Sequence, residues 1–184
     1  EPGFQSASIF TDSSIDLSFG HACLITDDQV LRCWGSDQYG RLGDGTPRTD
    51  KDSIENASYP MGNNSTKEVW TGSLNTCAIM VNGSLYCWGA GHYGIVDGGT
   101  THDYSPVMIN LPVGRTAVTI SGGFRHACAI MDDASLYCWG QNDAGQLGLG
   151  YTNDSSYPFH VFLSQPVNLG TGRSAVAVAG GEYY

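Results

Sequence analysis

Three pairs of cysteines, each pair ten residues apart, divide this 184-residue chain into similar parts. The pairs are Cys23 and Cys33, Cys77 and Cys87, and Cys128 and Cys138. Successive pairs begin 54 and then 51 residues apart, a period typical of tandem repeats. We therefore predict a single domain with three complete repeats and the start of a fourth. Their bounds are 15–66, 67–115, 116–173 and 174–184.

The copies agree well beyond their cysteines. Around the first cysteine they have HACLI, NTCAI and HACAI, and around the second they have LRCWG, LYCWG and LYCWG. A glycine-rich tail follows each second arm. The second copy departs from the others at Asn75, Thr76 and Asp97, where they carry histidine, alanine and glycine. The agreement is too long to arise by chance.

Each unit is predicted to contain a β-hairpin, because its two arms are short, apolar and rich in β-forming residues. A loop of odd length, such as residues 81–83, sets the two cysteines opposite each other, about 4.5–5.5 Å apart at Cα. A disulfide tolerates that distance. The third loop position favours a left-handed backbone, which Gly83 adopts at little cost. Gln29 and Ala134 at that position require strain or a different turn.

The cysteines are predicted to form three disulfides within the hairpins. Nine intervening residues fit neither a zinc site nor a redox Cys-x-x-Cys motif. Free core cysteines in a cytosolic protein are the alternative, but the even number, equal spacing and opposed geometry favour bridges. Each bridge contributes on the order of 2–3 kcal/mol. Three of them indicate an oxidising compartment.

Sites for N-glycosylation point to the same compartment. The Asn-x-Ser/Thr pattern occurs at Asn56, Asn63, Asn64, Asn82 and Asn153. Asn82 lies at a predicted hairpin tip, and the others lie in segments that follow the first and third hairpins. Such exposed positions can carry covalent glycans, although the adjacent Asn63 and Asn64 are not expected to carry one each. We predict a glycoprotein that is extracellular, either secreted or on a cell-surface appendage.

Charge and hydropathy exclude two classes of partner. Acidic residues outnumber basic ones 18 to 8, and the net charge of −10 argues against nucleic acid and anionic membrane surfaces. The longest apolar runs are about five residues, whereas a membrane helix needs about twenty, so no direct membrane insertion is predicted. With no initial Met and no signal peptide, Glu1 is expected to begin a mature or trimmed product.

The sequence HACAI, a turn, LYCWG, four residues and GQLG resembles the regulator of chromosome condensation repeat. It is most similar to the cysteine-paired Cys-Trp-Gly version in extracellular proteins, including algal mastigoneme-like surface glycoproteins and plant receptor-kinase ectodomains. The resemblance implies an all-β, β-propeller-type array of four-stranded blades, usually about seven to a ring. The family's nuclear member exchanges guanine nucleotide on a small GTPase, and a bacterial member inhibits β-lactamases. Neither role is expected here, because disulfide-ready pairs argue against the nucleus and no exchange residues match.

No catalytic, cofactor or metal site is predicted. Residues 89–94, GAGHYG, match the dinucleotide fingerprint, but turn residues follow where the pyrophosphate needs a helix. His21 and His126 share one repeat position, which favours a structural role. The paired aspartates at the hairpin tips, such as Asp27 and Asp28, lack the alternating ligands of a calcium loop.

The tryptophans recur beside the second cysteine of each pair, at Trp34, Trp88 and Trp139. A large ring at this position is predicted to fill the core between blades, beside a disulfide. A platform for carbohydrate is the alternative.

Three units and the start of a fourth do not make an ordinary ring. The strand that precedes each hairpin recurs near Val69, Val118 and Val176, so the last of these begins a new unit. We predict that this final strand pairs with a neighbouring repeat. Its residues are Ala175, Val176, Ala177, Val178 and Ala179. Further repeats of a longer chain or a second copy of this chain are both open as that neighbour.

The expected function is that of a non-enzymatic extracellular structural glycoprotein. Its unlike ends suit head-to-tail contact, which closes into rings or extends into filaments or a surface appendage. The alternative is a fragment of a seven-bladed extracellular propeller that binds a ligand or serves as a receptor. A propeller fold by itself decides neither.

Overall fold

The computed structural model describes most of the three repeats. The described residues are 15–17, 20–47, 50–51, 65–91, 94–96, 102–152, 163 and 165–181. Within them the chain forms ten β-strands, and a short 3-10 turn at Gln38–Gly40. The all-β prediction is confirmed.

The strands form three antiparallel sheets, one for each repeat, which we call blades 1 to 3. Blade 1 contains β1 (Ile15–Leu17), β2 (His21–Ile25) and β3 (Leu31–Gly35). Blade 2 contains β4 (Thr66–Thr71), β5 (Asn75–Met80), β6 (Leu85–Ala90) and β7 (His102–Met108). Blade 3 contains β8 (Ala117–Gly122), β9 (His126–Met131) and β10 (Leu136–Gly140). Strand order within each sheet follows chain order, so each blade is a meander.

A fourth strand position is occupied in every blade. In blade 2 it holds the complete strand β7. In blade 1 an isolated antiparallel bridge joins Lys51 to Gly35. In blade 3 the Val167 N–H donates to the Leu136 carbonyl at 2.7 Å. The four-stranded blade that the resemblance implies is therefore present, with blade 2 as its complete form.

All three predicted disulfides are present, and their cysteines are direct register partners. The Cα–Cα distances are 4.1, 4.1 and 4.0 Å in chain order. In blade 2, Met80 N–H donates to the Ser84 carbonyl and Ala90 N–H to the Leu74 carbonyl, at 2.9 and 3.0 Å. Hydrogen-bonded and non-hydrogen-bonded residue pairs alternate along two antiparallel strands. Cys77 and Cys87 lie three pairs from each of these bonds, so they form a non-hydrogen-bonded pair, where the strands approach most closely. The spacing of ten therefore joins the arms where they are nearest.

The three hairpins share one three-residue turn despite their different sequences. Its third residue donates its N–H back to the first arm, from Gly83 to Met80 at 2.8 Å and from Ala134 to Met131 at 2.9 Å. The φ angle of that residue is +81° at Gly83 and +63° at both Gln29 and Ala134. Of the two alternatives for Gln29 and Ala134, strain or a different turn, the structure shows the same turn with a left-handed backbone. That backbone costs an ordinary residue about 1–2 kcal/mol.

Glycine at these strained positions is expected to stabilise the protein. Gln29→Gly and Ala134→Gly should each raise the free energy of unfolding by about 1 kcal/mol, measured by denaturant titration. Gly83→Ala is the matched control and should lower it, because its φ is +81° and its new Cβ would collide with Thr116. A lower free energy of unfolding in both Gln29→Gly and Ala134→Gly would contradict this description of the turn.

Each blade has two different faces, because successive strand residues point to opposite sides of a sheet. We call the face that carries the disulfide the trailing face, since it packs toward the following blade. The leading face carries the tryptophan and packs toward the preceding blade. Trp88 shares a buried cluster with Cys23 and Cys33 of blade 1, and Trp139 shares one with the disulfide of blade 2. The core of the protein therefore lies in the joints between blades.

Candidate functional site

The joint between blades 1 and 2 is built around one tryptophan. Trp88 is fully buried on the leading face of blade 2. Its Nε1–H donates to the carbonyl oxygen of Arg41, in the tail after β3, at 2.9 Å. A Cβ built on Gly43 would lie 2.5 Å from that indole nitrogen. Glycine at this tail position therefore lets the ring lie directly on the backbone of the preceding blade.

The joint between blades 2 and 3 repeats this hydrogen bond, although Asp97 stands where the first tail has Gly43. The Nε1–H of Trp139 donates to the carbonyl of Ile95 at 2.9 Å. Ile95 occupies the place of Arg41 in the second tail. Both tryptophans thus fill the core between blades, as predicted. A backbone carbonyl is the acceptor in each case, so the side chain at that tail position is free to vary.

A buried carboxylate links blades 2 and 3 a second time. Glu68, on β4, is 8% exposed. Its Oε1 accepts a hydrogen bond from the Thr119 hydroxyl at 2.6 Å and another from the Ile120 N–H at 2.9 Å. Hydrogen bonds to an ionised group are about twice as strong as neutral ones. Glu68 therefore fixes β4 against β8, a role that nothing in the sequence pattern indicated.

His21 takes part in a chain of hydrogen bonds across the first joint. Its Nε2 lies 2.8 Å from the Thr76 hydroxyl, and that hydroxyl donates to the Arg41 carbonyl at 2.7 Å. Because the hydroxyl proton is used, the His21 ring donates through Nε2–H. Thr76 is one of the residues at which the second copy departs from the others, so this departure creates the link. A second departure, Asn75, donates within its own blade to the Ala90 carbonyl at 2.8 Å.

The side chain of Arg41 also spans the first joint. Its Nε–H donates to the Ser36 carbonyl at 2.8 Å, and its Nη1–H donates to the Ser73 carbonyl of blade 2 at 2.7 Å. Burial lowers the pKa of Arg41, and nearby acidic groups including Asp50 and Asp37 oppose this shift. Arg41 thus joins the blades through both its side chain and its carbonyl.

Burial makes His21 a pH-sensitive part of the joint. Burial, and then the charge of Arg41, lower the pKa of His21 from 6.5 to about 3. The unfolded chain binds the proton more tightly, so stability is complete above about pH 6.5 and falls as the pH drops toward 3. Unfolding free energy should be about 2 kcal/mol lower at pH 5 than at pH 7, measured by denaturant titration.

His21→Asn is the control for this pH dependence, because blade 2 carries asparagine at the same position. The substitution should flatten the slope between these pH values. His126 keeps a residual slope of the same sign, since burial lowers its pKa as well. An unchanged slope in His21→Asn would contradict the assignment.

The trailing face of blade 3 has the same groups as the buried trailing face of blade 1: a histidine, a disulfide, a leucine and a tail glycine. A cavity of about 200 Å³ opens there, lined by His126, the Cys128–Cys138 disulfide, Leu147 and Gly148, among other residues. Val178 also lines it and packs against the Leu147 cluster. Among the described residues no further blade covers this face. The His126 ring, unlike that of His21, has no hydrogen-bond partner within this part of the chain.

The leading face of blade 1 is the other end of the array. Ala22 and Trp34 are register partners on this face. Thr76 and Trp88 in blade 2, and Ala127 and Trp139 in blade 3, pair in the same way. Trp34 is only half-buried, whereas Trp88 and Trp139 are 0% and 1% exposed. The two ends of the array are therefore unlike, and each resembles one side of an internal joint.

The predicted assembly strand does not form a strand in the described structure. Ala175 donates its N–H to the Ala134 carbonyl at 2.9 Å, and Gly180 donates to the Ser121 hydroxyl at 3.1 Å. In blades 2 and 3 the corresponding strands, β4 and β8, pair with the strands that follow them, β5 and β9. The described residues end at Gly181, so they include no following strand with which residues 175–179 could pair. Val176 is consequently exposed, while Val178 packs on the trailing face of blade 3.

The predicted glycosylation sites are only partly within the described structure. Asn82 lies exposed at the tip of the blade 2 hairpin, where its side-chain oxygen accepts the Ser84 N–H at 2.9 Å. The other four predicted sites, Asn56, Asn63, Asn64 and Asn153, lie outside the described residues. All five stay predictions.

The described residues hold neither a metal site nor a membrane-spanning helix. They contain no group of three or more His, Cys, Asp or Glu side chains placed to hold a metal ion. No helix among them has the length and apolar character needed to cross a membrane. Gly89 of the dinucleotide-like sequence lies at the end of β6 against the Leu74 carbonyl, so it serves the sheet.

Two family models match the chain, and both describe the regulator of chromosome condensation (RCC1) repeat. One matches residues 13–41 and 117–146, and the other matches residues 82–130 and 133–184. The chain is 34% identical over 142 residues to the ultraviolet-B receptor UVR8 of Arabidopsis thaliana, covering 77% of this chain and 32% of UVR8. It is 31% identical over 140 residues to the human E3 ubiquitin-protein ligase HERC2, covering 73% of this chain and 3% of HERC2. The chain thus spans a third or less of these curated relatives.

Solved structures show the same architecture. Human WBSCR16 superposes with a TM-score of 0.72 at 20% identity, covering 91% of this chain and 42% of WBSCR16. Yeast RCC1 (Prp20), bound to Kap60, superposes with a TM-score of 0.70 at 19% identity, covering 95% of this chain and 41% of that one. At such identities the likeness concerns the fold alone. The prediction of a partial propeller is confirmed.

Proposed function

Because this chain belongs to the regulator of chromosome condensation (RCC1) repeat family, we propose that it is a structural propeller module outside the cell, whose ends join copies head to tail. The supporting observation is the trailing face of blade 3. It carries a disulfide and a tail carbonyl like those that receive the next blade at both internal joints, and a tail glycine like the one under Trp88 at the first joint. Repeated contacts between unlike ends extend into filaments or close into rings. The filament or surface appendage is the outcome we propose.

The disulfides support an extracellular location. All six cysteines are paired and buried, with Cys128 the most exposed at 6%. Disulfides of this kind persist in oxidising compartments and are rare in the cytosol. The predicted glycans at Asn82 and the other sequons would add protection there. The partners in this proposal are further copies of the chain and covalent glycans.

The absence of an enzymatic role is part of the proposal. The buried polar groups nearest the joints already have structural partners. His21 and Thr76 bind each other, and Glu68 binds two donors of β8. Side chains that make these hydrogen bonds hold the blades together and are not available to bind a substrate. No cofactor is proposed.

Electron microscopy of the purified chain tests this function. Rods or arcs several modules long, which lengthen as concentration rises, are the expected result. Discrete particles of uniform size at high concentration would contradict it. The comparison needs oxidised protein, because reduction is expected to unfold the blades.

A second candidate is a fragment of a longer extracellular propeller that binds a ligand or serves as a receptor. The chain continues past blade 3 through residues 174–181, with Val178 on the trailing face of that blade. The same segment in the earlier repeats forms β4 and β8, the first strands of their blades. Mass spectrometry of the intact source protein separates the two candidates. A single chain with about seven repeats would favour the receptor, and a chain of this length would favour assembly between copies.

A further inference from the structure

We infer that Asn82, at the hairpin tip of blade 2, carries an N-linked glycan whose first sugar packs on the exposed side chain of Val81. The inference rests on the extracellular location in the proposed function, and it names the residue that is modified and the surface that the sugar covers. Such a contact needs an amide nitrogen that is available for the sugar and an apolar surface beside it. Both are present at this tip.

The side-chain nitrogen of Asn82 is available because the turn uses only the side-chain oxygen. Oδ1 accepts the Ser84 N–H at 2.9 Å. The carboxylates of Asp28 and Asp133 accept the corresponding bonds in the other two blades, at 3.4 and 3.0 Å. The Nδ2 of Asn82 has no partner within the described residues, and the residue is exposed. A glycan on Nδ2 therefore leaves the hydrogen bond of the turn in place.

The transfer to Asn82 exchanges one bond for another and involves no oxidation or reduction. A bond forms between Nδ2 and C1 of the first sugar, and the bond from C1 to the oxygen of a lipid-linked diphosphate donor breaks. The diphosphate leaves with the electron pair, and the proton of Nδ2 passes to a base of the transferase. Ser84 supplies the hydroxyl that completes the Asn-x-Ser pattern.

The apolar surface beside Asn82 is specific to this blade. Val81 is 57% exposed, and the other blades carry Asp27 and Asp132 at the same repeat position. Asp132 has polar partners there, because its Oδ1 accepts the Thr116 N–H at 3.2 Å and lies 3.4 Å from Nη1 of Arg115. Valine cannot make such contacts. The exposed apolar residue thus occurs at the one hairpin tip that has a glycosylation pattern.

Further apolar surface lies in the loop that this tip contacts. The Gly83 carbonyl accepts the Ala117 N–H at 2.9 Å, and a Cβ built on Gly83 would lie 2.4 Å from the Cβ of Thr116. The tip is therefore pressed against the loop before β8, in which Val113 is fully exposed. A sugar ring has C–H groups that bury against apolar side chains. A glycan at this tip covers valine that otherwise faces water, and this contact should stabilise the folded chain.

Thermal unfolding of the chain secreted from eukaryotic cells tests the contact. Mass spectrometry of the peptide that contains Asn82 should show the glycan. Ser84→Ala keeps the asparagine and removes the glycan, and it should melt about 2–4 °C below the wild type. In a Val81→Asp background the same substitution should change the melting temperature by less than about 1 °C, because the sugar has lost its apolar surface. This second pair also corrects for any effect of Ser84→Ala on the turn itself.

Blade 3 offers a matched control. Asp133→Asn creates the pattern Asn-Ala-Ser at the equivalent tip, beside Asp132 instead of valine. This added glycan should leave the melting temperature within about 1 °C of that of Asp133→Asn combined with Ser135→Ala, which cannot carry it. Nuclear Overhauser effects should join the first sugar to the methyl groups of Val81 in the wild type.

Two results would overturn the inference: an unmodified Asn82, or a difference between wild type and Ser84→Ala that persists in the Val81→Asp background. Both are measured on single copies of the chain, so they leave the head-to-tail assembly of the proposed function standing. Uniform particles formed by a protein with a glycan on Asn82 and the expected melting temperatures would instead overturn the assembly and leave this contact standing.

Discussion

Reduction of the three disulfides is expected to unfold the chain at physiological temperature. Each bridge closes a short loop and contributes about 2–3 kcal/mol. Together they supply about 6–9 kcal/mol, which is comparable with the whole stability of many domains. The loss is large because the sulfur atoms lie inside the joints, where each disulfide contacts the following blade or lines the open cavity. Circular dichroism with and without reductant measures the effect.

Thiol titration supplies the control for this experiment. The native, oxidised protein should have no reactive thiols, either before or after denaturation. The double substitution of Cys77 and Cys87 by alanine should cost about 3 kcal/mol or more, because these two side chains are fully buried between blades 2 and 3. Free thiols in the native protein, or an unchanged melting temperature on reduction, would contradict the disulfide account.

Truncation of Trp88 is expected to have the largest effect of any single substitution considered. Trp88→Ala should lower the free energy of unfolding by about 4 kcal/mol, because it empties the centre of the first joint. It also leaves the Arg41 carbonyl without its indole donor. Trp88→Phe should cost about 1–2 kcal/mol through the lost hydrogen bond, plus the smaller ring. Denaturant unfolding measures both.

Trp34→Ala is the matched control for Trp88→Ala, since both residues occupy the same repeat position. Trp34 lies on the leading face of blade 1, which packs against no further blade in the described structure. Its removal should cost about 1 kcal/mol or less in the monomer. Equal costs for the two substitutions would show that the tryptophan does not act through the joint.

Most of what could be predicted about the blades from the sequence came from the spacing of the cysteines. A separation of ten, symmetric about the loop, is compatible with opposed cysteines in a three-residue turn, and the structure has this arrangement three times. The same reasoning predicted either strain or a different turn at Gln29 and Ala134, because only glycine adopts a left-handed backbone there at little cost. Local spacing was sufficient here because both partners of each contact lie within one hairpin.

The joints could be predicted only in part. The recurrence of Trp88 and Trp139 indicated a place between blades, but not the acceptor of their N–H groups. Backbone carbonyls accept those bonds, and every residue type has a backbone carbonyl, so the sequence does not show which residue is the acceptor. Arg41 and Ile95 are chemically unlike residues with the same role. The buried role of Glu68 could not be predicted from the sequence, because a lone acidic residue in a strand ordinarily faces solvent.

The second copy's departures were visible in the sequence, and their meaning required the structure. Thr76 replaces alanine and provides the hydroxyl that His21 binds in the preceding blade. The two residues are 55 positions apart, so no local pattern connects them. His126 matches His21 in sequence and has no such partner among the described residues. The shared repeat position therefore predicted a structural role for both histidines, whereas the neighbouring blade decides the hydrogen bonding.

The central proposal is that copies of this chain associate head to tail, with the blade 3 end of one copy next to the blade 1 end of another. A cryo-electron microscopy map of the assembled wild-type chain tests it most directly. The account predicts a regular array in which the blade 3 end of each copy adjoins the blade 1 end of the next copy. Uniform single particles, or an array whose contacts leave both of these ends uncovered, would contradict it.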